Sequence, residues 1–239
     1  NAGNNNTAAT QFNWTFNATR PTMTITAIEV SDGDMSGHSS LSLTFTSSEA
    51  ITNFTEDDIT VSGGALSGFA QISPTEYRAI FTPTTDGATT IDVAASAFRD
   101  SAGNNNSAAT QFNWTFDSTA PTMTITSAEV TDGDTSNDTT LSLTFTSSEA
   151  TTDFALGDIT VSGGALSGFA GSSTIYTATF TPSSDGAITI DVDGSAFRDS
   201  AGNNNSAATQ FNWTFNATSP TMTITALEVS DGGTSGHSS

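Results

Sequence analysis

The sequence predicts an all-β chain of tandem β-sandwiches, about seven strands to each, arranged as beads on a rod. Three observations lead there. Short stretches alternate apolar and polar residues with a period of two, the pattern of strands with one face on a core. Clusters of Gly, Asp, Asn and Ser interrupt these stretches about every 8–12 residues, which is turn chemistry between strands. The third is repetition. AGNNN starts at Ala2, Ala102 and Ala201, QFNWTF at Gln11, Gln111 and Gln210, and PTMTIT at Pro21, Pro121 and Pro220. A period near 100 residues suits one seven-strand sandwich, and a unit of that size buries a core of its own. The expected organisation is therefore a C-terminal part of a preceding repeat with its last strand at 1–20, whole repeats at 21–120 and 121–219, and the first strand of a following repeat at 220–239. On this reading both ends cut through a repeat, and the chain is expected to be a window on a longer array.

The first whole repeat shows each strand in order. Residues 22–30 set Met23, Ile25 and Ala27 against Thr22, Thr24 and Thr26. Residues 41–46 place Leu41, Leu43 and Phe45 opposite Ser42, Thr44 and Thr46. Residues 58–62 carry Ile59 and Val61, residues 65–72 follow, and 76–82 bring Tyr77 and Phe81. Residues 89–94 offer Ile91 and Val93, and 108–116 close with Phe112, Trp114 and Phe116 on one face. No segment has a 3.6-residue period. The aromatics of FNWTF recur in every copy on alternate positions, so they are expected to be sandwich core and not a sugar-stacking platform. The glycine-rich SGGALSG stretch at 62–68 and 162–168 lies between strands without a lysine and is expected to be a hairpin connection. Each linker ends in proline: Asn17-Ala18-Thr19-Arg20 precedes Pro21, and Asp117-Ser118-Thr119-Ala120 precedes Pro121. Proline fixes φ and biases its predecessor towards extended geometry, so a stiff joint is expected.

Composition narrows the function. The chain of 239 residues has 25 acidic side chains, 4 basic ones and no cysteine, for a formal charge of -21. Every basic residue is an arginine: Arg20, Arg78, Arg99 and Arg198. Such a charge repels nucleic acid and anionic bilayers, and neither is expected as a partner. Without cysteine there is no disulfide, thiolate nucleophile or cysteine-based zinc site. No run of about 18 apolar residues exists, so no membrane-spanning helix is expected. The polar opening Asn1-Ala2-Gly3-Asn4 does not read as a signal peptide.

The strings PTMTIT, LSLTFTSSEA, DITVSGGALSGFA, FTPSSDGAITIDV and FRDSAGNNNSAATQFNWTFD together resemble the bacterial immunoglobulin-like repeats of giant secreted adhesins and other cell-surface proteins. The resemblance covers both whole repeats and both partial ones. It implies tandem spacers or adhesion modules, extracellular or on the cell surface, often stiffened by Ca²⁺ at the joints and seldom enzymes. The chain differs from antibody domains in lacking the intersheet disulfide and in carrying its tryptophan on the last strand (Trp14, Trp114, Trp213).

Strands that run alternately up and down gather their loops at two ends. The upstream end collects Glu49, Asp100 and Asn104, and in the second copy Glu149, Asp199 and Asn203. The downstream end collects Asp32, Asp34 and Asp86, with Asp132, Asp134 and Asp185 as equivalents, and the linker adds Asp117. Ca²⁺ takes six to eight hard oxygen ligands, and Asp117, Glu149, Asp199, Asn203 and the Asp132/Asp134 loop form a candidate set. The alternative is purely structural: glutamate ends a strand, while Asp-Gly and Ala-Gly-Asn make turns. The last copy reads Asp231-Gly232-Gly233, and Asn17 and Asn216 replace Asp117 at the other linkers, so ligand sets are expected to differ between joints.

No catalytic or cofactor-binding residues are expected. Glu56-Asp57-Asp58 becomes Leu156-Gly157-Asp158 in the second copy, and His38 aligns with Asp138, while His237 has no nucleophile at a recognisable spacing. Sequons such as those at Asn17, Asn105 and Asn216 are compatible with glycosylation of an exported protein. The function expected is a Ca²⁺-stiffened stalk whose partners are neighbouring repeats of the same chain. The alternatives are a subunit that self-associates with identical chains into a filament or sheath, and, more weakly, a glycan- or protein-binding module.

Overall fold

In the computed structural model all residues are described except Asn1, Thr152, Ala226, 228–231, Ser235 and 237–239. Asp231 and His237 therefore lie outside the described residues. The chain divides into two compact units, Asn1–Pro121 with the Arg198–Asn204 turn, and Thr122–Phe197 with Asn205–Ser239.

In the first unit the strands are β1 (Met23–Ala27), β2 (Met35–Ser36), β3 (Leu41–Ser47), β4 (Ile59–Ser62), β5 (Gly64–Ser73), β6 (Glu76–Pro83), β7 (Gly87–Val93) and β8 (Phe112–Phe116). They form two four-stranded sheets, ordered β1-β3-β6-β5 and β2-β8-β7-β4. All pairs are antiparallel except β2 with β8, which run parallel through Met35 opposite Thr115 and Ser36 opposite Phe116. The alternation read in the sequence sets the two faces: Leu41, Leu43 and Phe45 are buried from β3, Tyr77 and Phe81 from β6, Ile91 and Val93 from β7. Phe112, Trp114 and Phe116 complete the core from β8.

The second unit repeats this with β9 (Met123–Ser127), β10 (Thr135–Ser136), β11 (Leu141–Thr151), β12 (Ile159–Ser162), β13 (Gly164–Pro182), β14 (Gly186–Val192) and β15 (Phe211–Phe215). Its sheets are ordered β13-β11-β9 and β10-β15-β14-β12. β13 covers the positions of both β5 and β6 and turns back on itself, so that the Ser167 hydroxyl donates to the Thr179 carbonyl. The turn is possible because Gly171 sits at φ +136°, where a Cβ would collide with the Ile175 carbonyl. This is also where the second copy is one residue shorter.

Three features differ from the sequence reading. The SGGALSG stretch is not a hairpin: β4 and β5 belong to different sheets, so Gly63-Gly64 carries the chain across the core. Gly63 has φ +75°, and a Cβ on Gly64 would run into the Phe81 ring. β1 ends at Ala27, and β8 begins only at Phe112. The two-residue β2 was not anticipated, because a single parallel bridge carries no periodic signal. Residues 11–16 and 221–225 pair with no other strand among the described residues, and Phe12, Trp14, Phe16, Met222 and Ile224 are exposed. A strand forms only against a neighbour that takes its hydrogen bonds, and neither segment has one here.

Candidate functional site

The site is built where the linker meets the loops that gather at the upstream end. In the first unit Asn17 forms a local turn in which its Oδ1 accepts the Thr19 N–H at 2.9 Å. That leaves its Nδ2 to donate to Glu49 Oε2 and to Asp100 Oδ2, each at 3.3 Å. Glu49 follows β3 directly and is half-buried. Asp100 opens a tight turn whose Asn104 N–H returns to Asp100 Oδ1 at 2.8 Å. The Asn104 side-chain amide donates to Asp100 Oδ2 at 2.8 Å and to the Asn17 carbonyl at 3.1 Å. The hydrogen bond from the Asn104 side chain, supported by backbone N–H groups of Asn104, Ala102 and Gly103, outweighs burial and holds the Asp100 carboxyl below its ordinary range. Asp100 is therefore a carboxylate at neutral pH.

The AGNNN string has three separate tasks. Its first asparagine, Asn104, ties turn to linker. The second, Asn105, accepts from Arg99 Nε at 2.7 Å on the surface. The third, Asn106, is fully buried: its Oδ1 accepts the Phe98 N–H, and its Nδ2 donates to the Ala94 and Ser107 carbonyls. Only the first was anticipated. The signal that could have found the third is the repeated placement of an amide between two aromatic strings.

In the second copy the turn Asp199–Asn203 has the same bonds. The Asn203 N–H donates to Asp199 Oδ1 at 2.8 Å, and its side chain donates to Asp199 Oδ2 at 2.9 Å and to the Asp117 carbonyl at 2.8 Å. Asp117 repeats the local turn of Asn17, with Oδ1 accepting the Thr119 N–H at 3.1 Å. A carboxylate oxygen of Asp117 lies within 4.8 Å of one of Asp199, which is buried. Asp117 and the Asp199 turn belong to the first unit. Glu149 belongs to the second, half-buried near the end of β11, with its N–H directed at Ser147 Oγ.

Asp132 and Asp134 are placed differently. Asp132 Oδ1 accepts the Asn212 N–H at 2.7 Å, and the Asp134 carbonyl accepts the Thr214 N–H at 2.9 Å. In the first copy Asp32 does the same for Asn113, and Asp34 accepts the Ser31 N–H. The Asp-Gly-Asp loops thus cover the free edge of the last strand, β8 or β15. At the downstream end Asp86 fastens the linker through the Ser118 N–H, the Ser118 hydroxyl and the Thr119 hydroxyl, all within 2.9 Å. Asp185 repeats this with the Ala217 N–H at 2.8 Å and the Thr218 hydroxyl.

These bonds hold the Asp86 and Asp185 carboxyls below their ordinary range, chiefly through the hydroxyls of Thr119 and Thr218. A carboxyl with a lowered folded-state pKa contributes stability that is present above its unfolded pKa and is lost as pH falls through the folded value. Both repeats should therefore lose stability progressively as pH drops below about 4. Melting temperatures measured from pH 7 to pH 2 check this. Asp86→Asn and Asp185→Asn variants should show a shallower fall.

The acid run Glu56–Asp58 is a 3-10 turn in which the Asp58 carboxylate accepts the Thr55 N–H at 2.8 Å. Asp158 does the same for Ala155, which accounts for its presence in both copies while the other two acids change. His38 Nδ1 shares a short hydrogen bond with the Ser36 hydroxyl.

Among solved structures the chain is similar to InvD of Yersinia pseudotuberculosis at 16% identity and TM-score 0.37, over 91% of this chain and 67% of that one. It is similar to invasin, a bacterial integrin-binding protein, at 16% identity and TM-score 0.43, over 81% of this chain and 40% of that one. The Yersinia pseudotuberculosis adhesin InvE matches at 14% identity and TM-score 0.30, over 82% of this chain and 58% of its own. No curated protein matches the chain. The family model described as bacterial Ig-like domain matches residues 17–116 and again residues 117–216. Each match opens on the linker residue that starts the upstream site, Asn17 or Asp117, so each copy holds a complete set of its positions. The two matches take in most of the sequence, and the chain belongs to the bacterial Ig-like domain family, present in two tandem copies.

Proposed function

We propose that the chain is part of a structural and adhesive extracellular repeat region, a stalk on a bacterial cell surface that Ca²⁺ stiffens where one repeat follows another. Its partners are the neighbouring repeats of the same chain, and the role is not enzymatic. One observation carries this reading: the linker residue, the strand-end glutamate and the turn aspartate share one place in the fold, tied together in the first copy by the side-chain amides of Asn17 and Asn104. In the copy at 117–216 these positions are Asp117, Glu149 and Asp199, all carboxylates. The residues present fit Ca²⁺, because the set is hard oxygen throughout, with no nitrogen or sulfur ligand to favour a transition metal. The three carboxylates carry like charges, and a bound Ca²⁺ would offset them. With their bonds to the last strand, Asp132 and Asp134 fit a structural role better than a ligand role.

Calorimetry of the chain with Ca²⁺ and with chelator tests the reading. A ligand held far above its Kd adds about 3–4 kcal/mol to the folded state. For domains of this size that raises the melting temperature by on the order of 10 °C or more. Unchanged melting would remove Ca²⁺ from the stalk and leave hydrogen bonding alone to hold the joint. Small-angle scattering should show a more bent particle after chelation.

A further inference from the structure

The linker residue alternates along the chain between an amide and a carboxylate, at Asn17, Asp117 and Asn216. All three make the same local turn, with Oδ1 accepting the N–H two residues on, from Thr19, Thr119 or Thr218. That bond settles which atom faces the other way. For Asn17 it is Nδ2, which carries two hydrogens and directs one at Glu49 and one at Asp100. For Asp117 it is a second carboxylate oxygen, an acceptor with no hydrogen to give. Glu49 and Asp100 repel one another as like charges, and a neutral donor between them relieves that repulsion without any ion. An aspartate in the same place adds to the repulsion, which a divalent cation would relieve.

We propose that the side-chain amide of Asn17 takes the place of the divalent cation, so that the first joint is a metal-independent latch while the Asp117 joint needs Ca²⁺. This inference rests on the Ca²⁺ reading above for the Asp117 joint, but the latch itself stands on hydrogen bonds within one unit. The two linker positions of this chain then differ, and calcium depletion loosens the Asp117 joint while leaving the Asn17 joint as it is.

The test uses the full 239-residue chain, with Ca²⁺ titrated by calorimetry and melting followed in chelator. The unaltered chain should bind Ca²⁺ at the Asp117 joint alone. Asn17→Asp should add a second site of similar affinity and lower the melting of the first repeat in chelator by several degrees, with recovery on adding Ca²⁺. Asp117→Asn should abolish the original site and make its repeat indifferent to chelator, and the double exchange should restore a single site. If Asn17→Asp gains no Ca²⁺ and melts in chelator as the unaltered chain does, the latch is overturned while the Ca²⁺ reading survives. The latch also fails if Asp117→Asn retains Ca²⁺, because the Asn17 joint would then hold the ion. If neither the unaltered chain nor Asp117→Asn binds Ca²⁺, the stalk reading loses its metal. The latch is then judged by melting alone: a drop for Asn17→Asp supports it, and no change overturns it.

Discussion

Alanine at Phe54 should cost the first repeat about 3–5 kcal/mol, the loss expected when a buried phenylalanine is removed from a core that cannot close around the gap. Phe54 lies between β3 and the 3-10 turn, and its ring meets four others: Phe45 at 5.8 Å, Phe69 at 5.6 Å, Tyr77 at 5.2 Å and Phe98 at 5.3 Å. The contacts with Phe69, Tyr77 and Phe98 are edge-to-face, the arrangement in which aromatic pairs add stability beyond their buried area. Its neighbour Tyr77 is fixed by a hydroxyl bond to the Ile51 carbonyl at 3.1 Å, which limits how far the core can relax. Phe154 reproduces the cluster in the second unit with Phe145, Phe169, Tyr176 and Phe197. Urea unfolding followed by tryptophan fluorescence checks both, since Trp114 and Trp213 report on their own repeats. Phe54→Leu keeps most of the volume and should cost much less. A loss below about 1 kcal/mol for Phe54→Ala would show that the site refills after truncation.

The second large effect is expected from an asparagine. Asn106→Ala should destabilise its repeat by about 2–4 kcal/mol, because it leaves the buried Phe98 N–H without a partner, removes two bonds to the Ala94 and Ser107 carbonyls, and empties the space of a fully buried side chain. The three bonds are 3.0, 2.8 and 2.8 Å long. Asn205→Ala should match it, since Asn205 holds Phe197, Asp193 and Ser206 in the same way. Asn105→Ala, one residue away, loses only a bond to the Arg99 side chain on an exposed surface and should change stability by less than about 0.5 kcal/mol. Thermal melting of the two variants side by side separates a structural plug from a surface residue. Equal losses would contradict the assignment.

The strands were legible because burial on one face writes itself into the sequence with period two. Leu41, Leu43 and Phe45 or Phe112, Trp114 and Phe116 need no neighbour to be recognised. Phe54 and Asn106 were not legible, because both act from irregular segments where no period marks the inward side. The run Asn104-Asn105-Asn106 also hides three environments behind one residue type. At the upstream end, alternation of strand direction was enough to bring Glu49, Asp100 and Asn104 together. It could not show that the Asn17 amide faces the two carboxylates, since that depends on a local turn closed by Thr19. The Asp-Gly-Asp loops read equally well as ligands or as turns. The bonds of Asp32 to Asn113 and of Asp132 to Asn212, which no periodicity announces, show what those carboxylates hold in the fold.

The division of the first and last strands between separate sheets bears on how a repeat answers to tension. In the first repeat a pull on the linker before Pro21 is taken up by β1, which is bonded to β3, while a pull beyond Phe116 is taken up by β8, bonded to β7 and β2. Each force runs along its strand, and ladder bonds lie across it, so the bonds of a strand are loaded in shear together and not peeled one after another. Neither terminal strand can be drawn out without also dragging its core residues, Met23 and Ile25 or Phe112, Trp114 and Phe116, past their neighbours. The clamps of Asp86 on Ser118 and Thr119 and of Asn104 on Asn17 stand in series with these ladders, outside the core. A few hydrogen bonds outside the core are weaker than a ladder backed by packing, so under load these clamps are expected to yield first and to give the repeat a small extensible reserve before its sheets are strained.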